Sequence, residues 1–482
     1  MRWKYTLYVV GAILVSIGMT MLLALAWSVY YDDAGTLPLM KSILVTLCVG
    51  GGLFRIFRNP DALAMNHREG MAIVALGWIA AALMGALPFW FAETFSTFTD
   101  CFFESMSGFT TTGASVLSDI EALPRGILFW RSLTHWLGGM GIIVLSLAIL
   151  PFLGVGGMQL YKAEVPGPVA EKLKPRIKDT AVLLWKVYLL FTVLQTVLLW
   201  FGGMDLFESL CHTFGTMATG GFSTRNTSIA AYDSVYFDTV ITIFMLIAGA
   251  NFTLHYNVLR GRPAVMFRDP EFRFFLGVFV IFTLVSTVSI WGNNYESLGD
   301  ALRFASFQVA SIMTTTGFAT ADYELWTPLP QALLLLLMFL GGCAGSTGGG
   351  IKCMRIMLLL KLAYQELFRL IHPRAVTRVK LGRHNVPTEV LSSITGFFML
   401  FLGLFIVSSF LLTAMGVDIV TAFSAVVASI GNIGPGLGGV GPTDNYAHLP
   451  LMAKWLLVFC MLLGRLEIYT VIILFVPEFW RK

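Results

Sequence analysis

The chain carries little charge for its length: Asp, Glu, Lys and Arg make up only 12% of its 482 residues. A soluble domain contains roughly 25% charged residues, so a water-exposed surface on this chain would be short of charge. Apolar residues make up 56% of the sequence, and the mean hydropathy is +0.77. The composition therefore disfavours a soluble domain and predicts that lipid is the solvent for most of the surface.

Residues that usually build disulfides, metal sites and hydrolytic centres are also scarce. The six cysteines are scattered without a CxxC pair, so we expect small apolar fillers and neither a disulfide framework nor a zinc site. The seven histidines show no HExxH spacing, and His135 and His212 in the apolar segments are interpreted as packing residues. This disfavours an intramembrane protease or lipid transferase, which needs a nucleophile–base pair or metal cluster on facing spans.

Other functional classes lack their signatures. No GxGxxG motif follows a strand, so we expect no nucleotide to be bound by this chain itself. No span carries an arginine at every third position, which excludes a voltage sensor. A receptor or scaffold would give no reason for the repeated glycine turns described below, and no nucleic-acid partner is expected.

Long apolar runs are abundant, and about 20 mostly apolar residues are enough to cross a bilayer as a helix. Ten runs qualify, near residues 4–30, 37–57, 71–92, 125–150, 180–203, 234–258, 272–292, 329–362, 389–415 and 449–476. The first ends without a small-residue cleavage pattern, so we expect a span there and not a signal peptide. The run at 329–362 is too long for one simple span and is interrupted by glycines.

Basic residues are concentrated in one set of connecting loops, whereas the opposite set is acidic. The positive-inside rule places the basic set in the cytoplasm. An even number of spans then leaves both termini on the cytoplasmic side. Individual basic residues could instead serve as generic anchors for lipid headgroups.

Four similar segments lie between paired spans. They are Asp100–Ser115, Asp205–Ser223, Asp300–Thr320 and Asp418–Gly436. Each opens with Asp, a favoured helix N-cap, continues through apolar and small residues, and ends at a glycine-centred turn. The segments are too short to cross a membrane, so we expect re-entrant helices followed by extended turns. Four amphipathic extracellular loops are the alternative, and their repetition at comparable positions disfavours it.

The repeat defines an all-α polytopic membrane protein. We expect four fused span–pore-helix–filter–span units in a pseudo-four-fold arrangement, preceded by two transmembrane helices. The predicted boundaries are residues 1–66 for the N-terminal helices, 67–165 for pore unit 1, 166–265 for unit 2, 266–380 for unit 3 and 381–482 for unit 4. Unit 3 also contains a glycine-rich intramembrane loop at 341–352.

The four turns are candidate cation sites because irregular backbone at membrane depth must be buried in protein or line a wet cavity. Carbonyl oxygens converging on one axis can replace the hydration shell of K⁺. The candidate residues are Thr111, Thr112, Gly113, Ala218, Thr219, Gly220, Thr315, Thr316, Gly317, Asn432, Ile433 and Gly434, with Gly113, Gly220, Gly317 and Gly434 taken as equivalent. No carboxylate lies among them, which disfavours a side-chain carboxylate ring.

Unit 3 has six glycines within residues 341–350. Each costs a helix about 1 kcal/mol relative to Ala, so the span must break there. One interpretation is a small-residue packing seam. A phosphate-binding loop fits poorly, because Ile351 separates Gly350 from Lys352. A third interpretation is a flexible loop that obstructs the pore.

Arg465 lies near the middle of the last apolar run, where burial costs about 2.5–3.5 kcal/mol on insertion scales. We therefore expect its side chain to face the pore or a buried partner. A structural ion pair with another helix is the alternative to a role in the pore.

The four-fold plan, with the segments GFTTTGAS, MATGGFSTRN, TTTGFATADY and SIGNIGPG, resembles the Trk/Ktr/HKT superfamily of potassium transporters over nearly the whole chain. The resemblance implies a fold like four fused potassium-channel protomers, with K⁺ as the transported ion and glycines as filter residues. Relatives that favour sodium tend to have serine at the first glycine, so this chain is expected to select potassium. A sodium-permeable or weakly selective pathway is the alternative. The fourth turn departs most, because Asn432 and Ile433 replace threonines.

The same resemblance implies a gate, partners and a location. The glycine loop is expected to obstruct the pore below the filter, with Gly345, Ser346, Thr347, Gly348, Gly349 and Lys352 as gating residues. Arg465 is expected to point into the pore as an electrostatic barrier. A homodimer in the bacterial cytoplasmic membrane is implied, together with a cytosolic nucleotide-binding regulatory ring of the TrkA type. The basic stretches 162–178, 260–273 and 369–383 are the candidate docking surfaces.

Overall fold

The computed structural model describes residues 2–58, 67–148, 177–375, 377–382 and 384–481. It begins with a hairpin of two long helices, α1 (Trp3–Tyr30) and α2 (Thr36–Ile56). The hairpin crosses where Gly11 faces Gly50, because a Cβ atom at Gly11 would lie 2.9 Å from the carbonyl oxygen of Gly50. Small residues at such a crossing let two backbones approach closely, as in helix pairs within lipid.

The helices of the four units follow the predicted order. Unit 1 contains α3 (His67–Gly85), α4 (Leu87–Phe91), α5 (Phe98–Phe109) and α6 (Arg125–Ala148). Unit 2 contains α7 (Ile177–Phe201), α8 (Leu206–Met217), α9 (Val235–Gly249), α10 (Phe252–Leu259) and α11 (Ala264–Arg268). Unit 3 contains α12 (Pro270–Ile290), α13 (Leu298–Met313), α14 (Pro328–Leu337) and α15 (Cys353–Ile371). Unit 4 contains α16 (Thr388–Ala414), α17 (Ile419–Ile430), α18 (Leu451–Arg465), α19 (Tyr469–Ile472) and α20 (Pro477–Trp480).

The fold class is confirmed: the chain is a polytopic membrane protein made of helices. In the described ranges, the one paired sheet is a small hairpin of β1 (Lys380–Leu381) and β2 (His384–Asn385) between units 3 and 4. Six helices there are long and apolar enough to cross a membrane, or up to eight if each bent pair counts as one span. The predicted bounds of α1, α2, α6, α7, α12 and α16 agree with the observed ones within three residues.

Two of the ten predicted spans are bent and not continuous. The run 234–258 bends by 105° between α9 and α10, where Asn251 accepts a hydrogen bond from the Thr253 backbone and starts a new helix. The run 449–476 bends by 112° after Arg465, where Glu467 (φ +58°) and Ile468 (φ +53°) adopt left-handed backbone. Hydropathy averaged over the length of a span does not reveal either bend, because the few polar residues there leave the average apolar.

The third broken span follows the prediction. The run 329–362 divides into α14 and α15, and the glycine segment lies between them. Gly341 N–H donates to the Ile351 carbonyl at 2.9 Å, so the two ends of the segment meet and the residues between them form a closed loop.

The short helices α5, α8, α13 and α17 form the centre of the molecule. In α17, for example, nine residues are buried, from Thr421 to Ile430, around a helix of only 12 residues. The long helices lie outside them and expose apolar side chains such as Leu44, Val288 and Phe410. A helix buried on every side at the centre of a lipid-embedded bundle is therefore in place to position a pore.

Both ends of the described chain lie on the same side of the bundle. The Trp3 and Trp480 rings stack with centroids 5.5 Å apart, and Arg68 donates to the Arg481 carbonyl at 2.6 Å. This arrangement agrees with an even number of membrane crossings.

A candidate ion pore

The central helices begin at polar caps, but not always at the predicted Asp. The predicted caps hold in units 2 and 4, for Asp205 and Asp418. In units 1 and 3 the prediction is wrong, because Thr97 and Ser297 are the caps, three residues before Asp100 and Asp300. Those two carboxylates lie in the first helical turn, where a negative charge still faces the positive end of the helix.

Two residues after each central helix ends, a non-glycine residue has left-handed backbone. These residues are Thr111 (φ +50°), Thr219 (φ +54°), Thr315 (φ +62°) and Asn432 (φ +55°). In unit 1, Thr111 N–H donates to Gly108 at 3.0 Å and Thr112 N–H donates to Ser107 at 2.9 Å. The corresponding pair of bonds occurs in the other three units. Backbone of this kind costs about 1–3 kcal/mol per residue, and these paired bonds hold it in place.

The glycine two residues later fixes the register of the four turns. The glycines with left-handed φ at this position are Gly113 (+80°), Gly221 (+81°), Gly317 (+81°) and Gly434 (+97°). The predicted equivalence of Gly220 with the other three is therefore wrong by one residue. Gly220 occupies the position of Thr112, and Ala218 precedes the turn as the C-cap of α8. Two adjacent glycines in unit 2 made the register ambiguous in the sequence.

The four turns close into a ring. A Cβ atom added to any filter glycine would meet the carbonyl oxygen of the residue before the filter glycine of the next unit. The pairs are Gly113 with Gly220, Gly221 with Thr316, Gly317 with Ile433, and Gly434 with Thr112 at 2.8 Å. Unit 4 thus returns to unit 1, and the four turns surround one axis.

The turns leave buried carbonyl oxygens without donors. Within the described ranges, no hydrogen bond ends on the carbonyls of the two residues before each filter glycine. These residues are Thr111, Thr112, Thr219, Gly220, Thr315, Thr316, Asn432 and Ile433, all of them buried. A buried carbonyl without a partner is costly, because it loses its hydrogen bonds to water. A ring of such oxygens is chemically suited to a desolvated cation.

Asn432 connects the fourth turn to the first. Its side-chain amide donates to Thr112 Oγ1 at 3.0 Å and to the Met461 carbonyl at 2.9 Å. Among the residues that the structure describes, its Oδ1 is buried without a hydrogen-bond partner, as is Thr111 Oγ1. The asparagine therefore keeps the backbone geometry of the threonine turns and adds a link between two units.

The glycine loop lies against the inner ends of the central helices. Thr347 Oγ1 donates to the Met217 carbonyl at 3.0 Å, and Gly349 N–H donates to Thr315 Oγ1 at 2.7 Å. A Cβ atom at Gly349 would meet the Gly431 carbonyl, so the backbone of the loop touches the fourth turn as well. The loop contacts three of the four units directly below their turns.

Two of the predicted gating side chains form hydrogen bonds to carbonyl groups of the loop itself. Lys352 Nζ donates to the Gly348 carbonyl, and Ser346 Oγ donates to Cys343 at 2.6 Å. Gly345, at φ +76°, turns the chain next to the Asn251 side chain. These contacts stabilise one compact shape of the segment.

Arg465 bridges the loop and unit 1. Its side chain is 2% exposed, with Nη1 donating to the Thr347 carbonyl at 2.8 Å and Nη2 donating to Gly138 at 2.9 Å. The alternative of an ion pair with another helix is not observed in the described chain, where Glu467 instead pairs with Arg355 on α15. Arg465 also ends α18, where a positive charge suits the negative end of the helix.

The filter of unit 2 rests on residues that the sequence did not single out as supports. His135 bonds to the Gly108 carbonyl at 2.9 Å through Nδ1, and a Cβ atom at Gly220 would lie 2.5 Å from its ring. Arg131 is buried, pairs with Glu104 at 2.7 Å and donates to the Ser223 carbonyl at 2.9 Å. The packing role predicted for His135 is thus observed, whereas a buried Arg–Glu pair 27 residues apart leaves no local pattern.

The loops beyond the turns connect neighbouring units. Asn226 donates to Asp119 at 3.0 Å and accepts from Ile120 N–H at 2.7 Å. The hydrogen bond from Asn226 lowers the pKa of Asp119 below its ordinary value, so this carboxylate stays ionised. Glu324 accepts from Gly438 N–H at 2.6 Å and connects units 3 and 4.

The turns, loop and arginine can be compared with known proteins. A family model described as TrkH, cation transport protein, matches residues 38–482. The chain belongs to the TrkH family of cation transport proteins. It is 46% identical to the Trk system potassium uptake protein TrkH of Salmonella typhimurium, over 100% of both chains. It is 37% identical to the Trk system potassium uptake protein TrkG of Escherichia coli, over 96% of each.

The solved relatives agree with the TrkH fold. The crystal structure of the potassium transporter TrkH from Vibrio parahaemolyticus superposes with a TM-score of 0.92 at 39% identity, covering 100% of both chains. The TrkH family assignment confirms the resemblance found in the repeats. The family model covers residues 38–482, so the four units, the glycine loop and Arg465 all lie within the matched region.

Proposed function

We propose that this chain takes up potassium ions across the bacterial cytoplasmic membrane through the ring of four turns. The observation that carries the proposal is the set of buried carbonyl oxygens, two before each filter glycine, that have no donor in the described chain. Oxygens of this kind replace the water around a potassium ion. The relatives are named potassium uptake proteins, which agrees with this assignment.

The potassium ligands are proposed to be mainly backbone carbonyls of the residues predicted from the sequence, with Gly221 added as the filter glycine of unit 2. The negative ends of the four central helices point toward the turns and favour a cation without a fixed anion. Selectivity for potassium over sodium is supported by glycine at all four filter positions. A sodium-permeable or weakly selective pathway keeps the same architecture and differs only in the ion ratio.

The glycine loop is proposed to be the gate, and Arg465 is proposed to hold the loop in its closed position through hydrogen bonds. The loop contacts the inner ends of units 2, 3 and 4, and Arg465 joins it to unit 1 through Thr347 and Gly138. A guanidinium at this depth also repels a passing cation. Opening then requires the loop to leave Arg465 and the arginine to find other acceptors.

Regulation is proposed to come from outside the chain. A cytosolic nucleotide-binding ring would dock on the basic stretches 260–273 and 369–383, while 162–176 lies outside the described residues. The stacking of Trp3 on Trp480 supports termini on one side, which we assign to the cytoplasm. A homodimer completes the proposed assembly, with K⁺ as the transported ion and no catalytic role for the chain.

The decisive experiment is ion flux through the purified full-length chain in proteoliposomes. We expect uptake of K⁺ and Rb⁺ to exceed that of Na⁺ and Li⁺ in one preparation. Deleting residues 345–349 should raise basal flux, because the loop then no longer reaches Met217 and Thr315. Equal Na⁺ and K⁺ flux would support the weakly selective pathway, and unchanged flux after the deletion would support a packing seam.

A further inference from the structure

Glu271 is buried at the start of α12, with 2% of its surface exposed. Its Oε1 atom accepts two backbone hydrogen bonds, from Ala344 N–H at 2.8 Å and from Met354 N–H at 3.0 Å. Ala344 lies in the glycine loop, and Met354 is the second residue of α15, the helix that follows the loop. One carboxylate oxygen therefore joins the loop, at Ala344, to the first turn of the helix that follows it.

These bonds are not needed by the helix that carries Glu271. Asp269 already caps α12, accepting from Phe272 N–H at 2.7 Å. The first residues of α15, in contrast, lack a cap of their own, because its N-cap residue Lys352 makes no side-chain capping bond. Unsatisfied N–H groups at a helix start need an acceptor, and Glu271 supplies one from another element.

A cap for α15 alone would require only the bond to Met354. The second bond, to Ala344, does not cap a helix, because Ala344 lies in the loop between α14 and α15. It holds Ala344, inside the loop, close to the start of α15, and so adds to the backbone bond from Gly341 to Ile351 that joins the ends of the loop. A loop with fixed ends has fewer shapes available, which favours the compact form held by Thr347 and Gly349.

Glu271 also lies in the same short segment as a candidate docking surface. The helix α11 (Ala264–Arg268) has no buried residue, and Phe267 is 65% exposed. Only Asp269 and Pro270 separate this exposed helix from Glu271. A partner that displaces α11 would therefore act directly on the carboxylate that holds the loop.

We propose that Glu271 is the positioning residue that ties the glycine loop, at Ala344, to the start of α15 in the closed pore. The inference rests on the proposed function of that loop as the gate. Glu271, which lies outside the loop, then keeps the gate closed. Glu271 lies outside the four turns, and its side-chain hydrogen bonds in the described residues come from backbone N–H groups alone.

The test is Rb⁺ flux through full-length variants in proteoliposomes. Glu271→Ala removes the acceptor and should raise basal flux about tenfold, because the buried N–H groups of Ala344 and Met354 then lose their hydrogen-bond partner. Glu271→Gln keeps an amide oxygen that accepts both bonds, so its flux should stay within about twofold of the unchanged chain. Glu389→Ala, which removes an exposed first-turn acid from α16, is the control and should have no effect.

A second comparison separates a gate effect from general damage. The K⁺ to Na⁺ ratio should be the same in Glu271→Ala as in the unchanged chain, since the filter is not altered. In a chain lacking residues 345–349, adding Glu271→Ala should raise flux no further. If Glu271→Ala does not yield folded protein, Glu271→Asp replaces it: the shorter side chain keeps the charge but does not reach both N–H groups.

Each outcome is decisive. Equal flux in Glu271→Ala and Glu271→Gln would overturn the assignment of Glu271, as would a rise that persists without the loop. Either result leaves the gating role of the loop intact if the deletion itself raises flux. A deletion that leaves flux unchanged overturns the gate and the role of Glu271 together.

Discussion

A Cβ atom at Gly113 would overlap the carbonyl oxygen of Gly220, although the two residues belong to different units. The same relationship recurs from each unit to the next and returns to the first. Glycine is thus required at these positions for two reasons, the left-handed φ and the adjacent carbonyl of the neighbouring turn. The ring is closed by backbone contacts, so a substitution at one glycine displaces the oxygens of another unit.

Gly113→Ala should abolish selective K⁺ flux, because the added methyl group pushes the Gly220 carbonyl out of the ring. The matched control is Gly292→Ala, since Gly292 has a similar φ of +77° with open space where a Cβ would lie. Both variants bear the backbone strain, about 1–2 kcal/mol, but only the first meets a carbonyl. Flux ratios in proteoliposomes and thermal unfolding measure the difference. Similar losses in both variants would show that strain alone matters.

The corrected register of unit 2 predicts different rescue behaviour for its two glycines. Gly220→Ala meets the His135 ring, a side chain that can be shortened, so His135→Ala should restore part of the K⁺ flux. Gly221→Ala meets the Thr316 carbonyl, and no side-chain change should restore it. Rb⁺ flux in the two single and two double variants is the measurement. Rescue of Gly221→Ala by His135→Ala would contradict the register.

Arg465→Ala should raise basal K⁺ flux about tenfold, because two hydrogen bonds between the arginine and the loop and α6 are lost with the positive charge. Arg465→Lys keeps the charge but not the forked geometry, so it should have an intermediate effect. Single-channel or flux recording is the measurement. Arg55→Ala, which removes an exposed arginine from the last turn of α2, is the control and should leave flux unchanged.

Breaking the buried pair of Arg131 and Glu104 should destabilise the protein. Glu104→Ala leaves the guanidinium buried without its carboxylate and should cost about 3–5 kcal/mol. The double variant Arg131→Met with Glu104→Leu should cost less than Glu104→Ala alone, because no charge remains unpaired. Thermal unfolding in detergent measures both. A double variant that is less stable than the single one would contradict this account.

Arg303 pairs with two carboxylates that differ in exposure, which provides an internal control. Asp238 is 2.6 Å from Arg303 and 4% exposed, whereas Asp233 is 3.1 Å away and 84% exposed. Asp238→Ala should therefore lower the unfolding temperature clearly, and Asp233→Ala should change stability by about 0–1 kcal/mol. Equal effects in thermal unfolding would show that burial does not decide the strength of this pair.

Much of the fold could be predicted from periodic features. Apolar runs fixed the bounds of six long helices within three residues, and four repeated segments predicted the central helices and their turns. The bends after Gly249 and Arg465 were missed because single polar residues such as Asn251 and Glu467 leave the mean hydropathy of a span-length window high. The caps Thr97 and Ser297 were missed because an Asp three residues later also suits a first helical turn.

The sequence by itself determined the class of the protein, since composition sets the solvent and repetition sets the number of units. It also determined that residues 341–350 break a helix, because glycine cannot sustain one there. Only the tertiary structure decided that Gly221 and not Gly220 is equivalent to Gly113, Gly317 and Gly434, because register depends on which carbonyl of the next unit lies alongside. The tertiary structure alone also decided the hydrogen-bond partners of Arg465, Glu271 and Arg131. Those partners are backbone atoms and side chains far away in sequence, and packing brings them together.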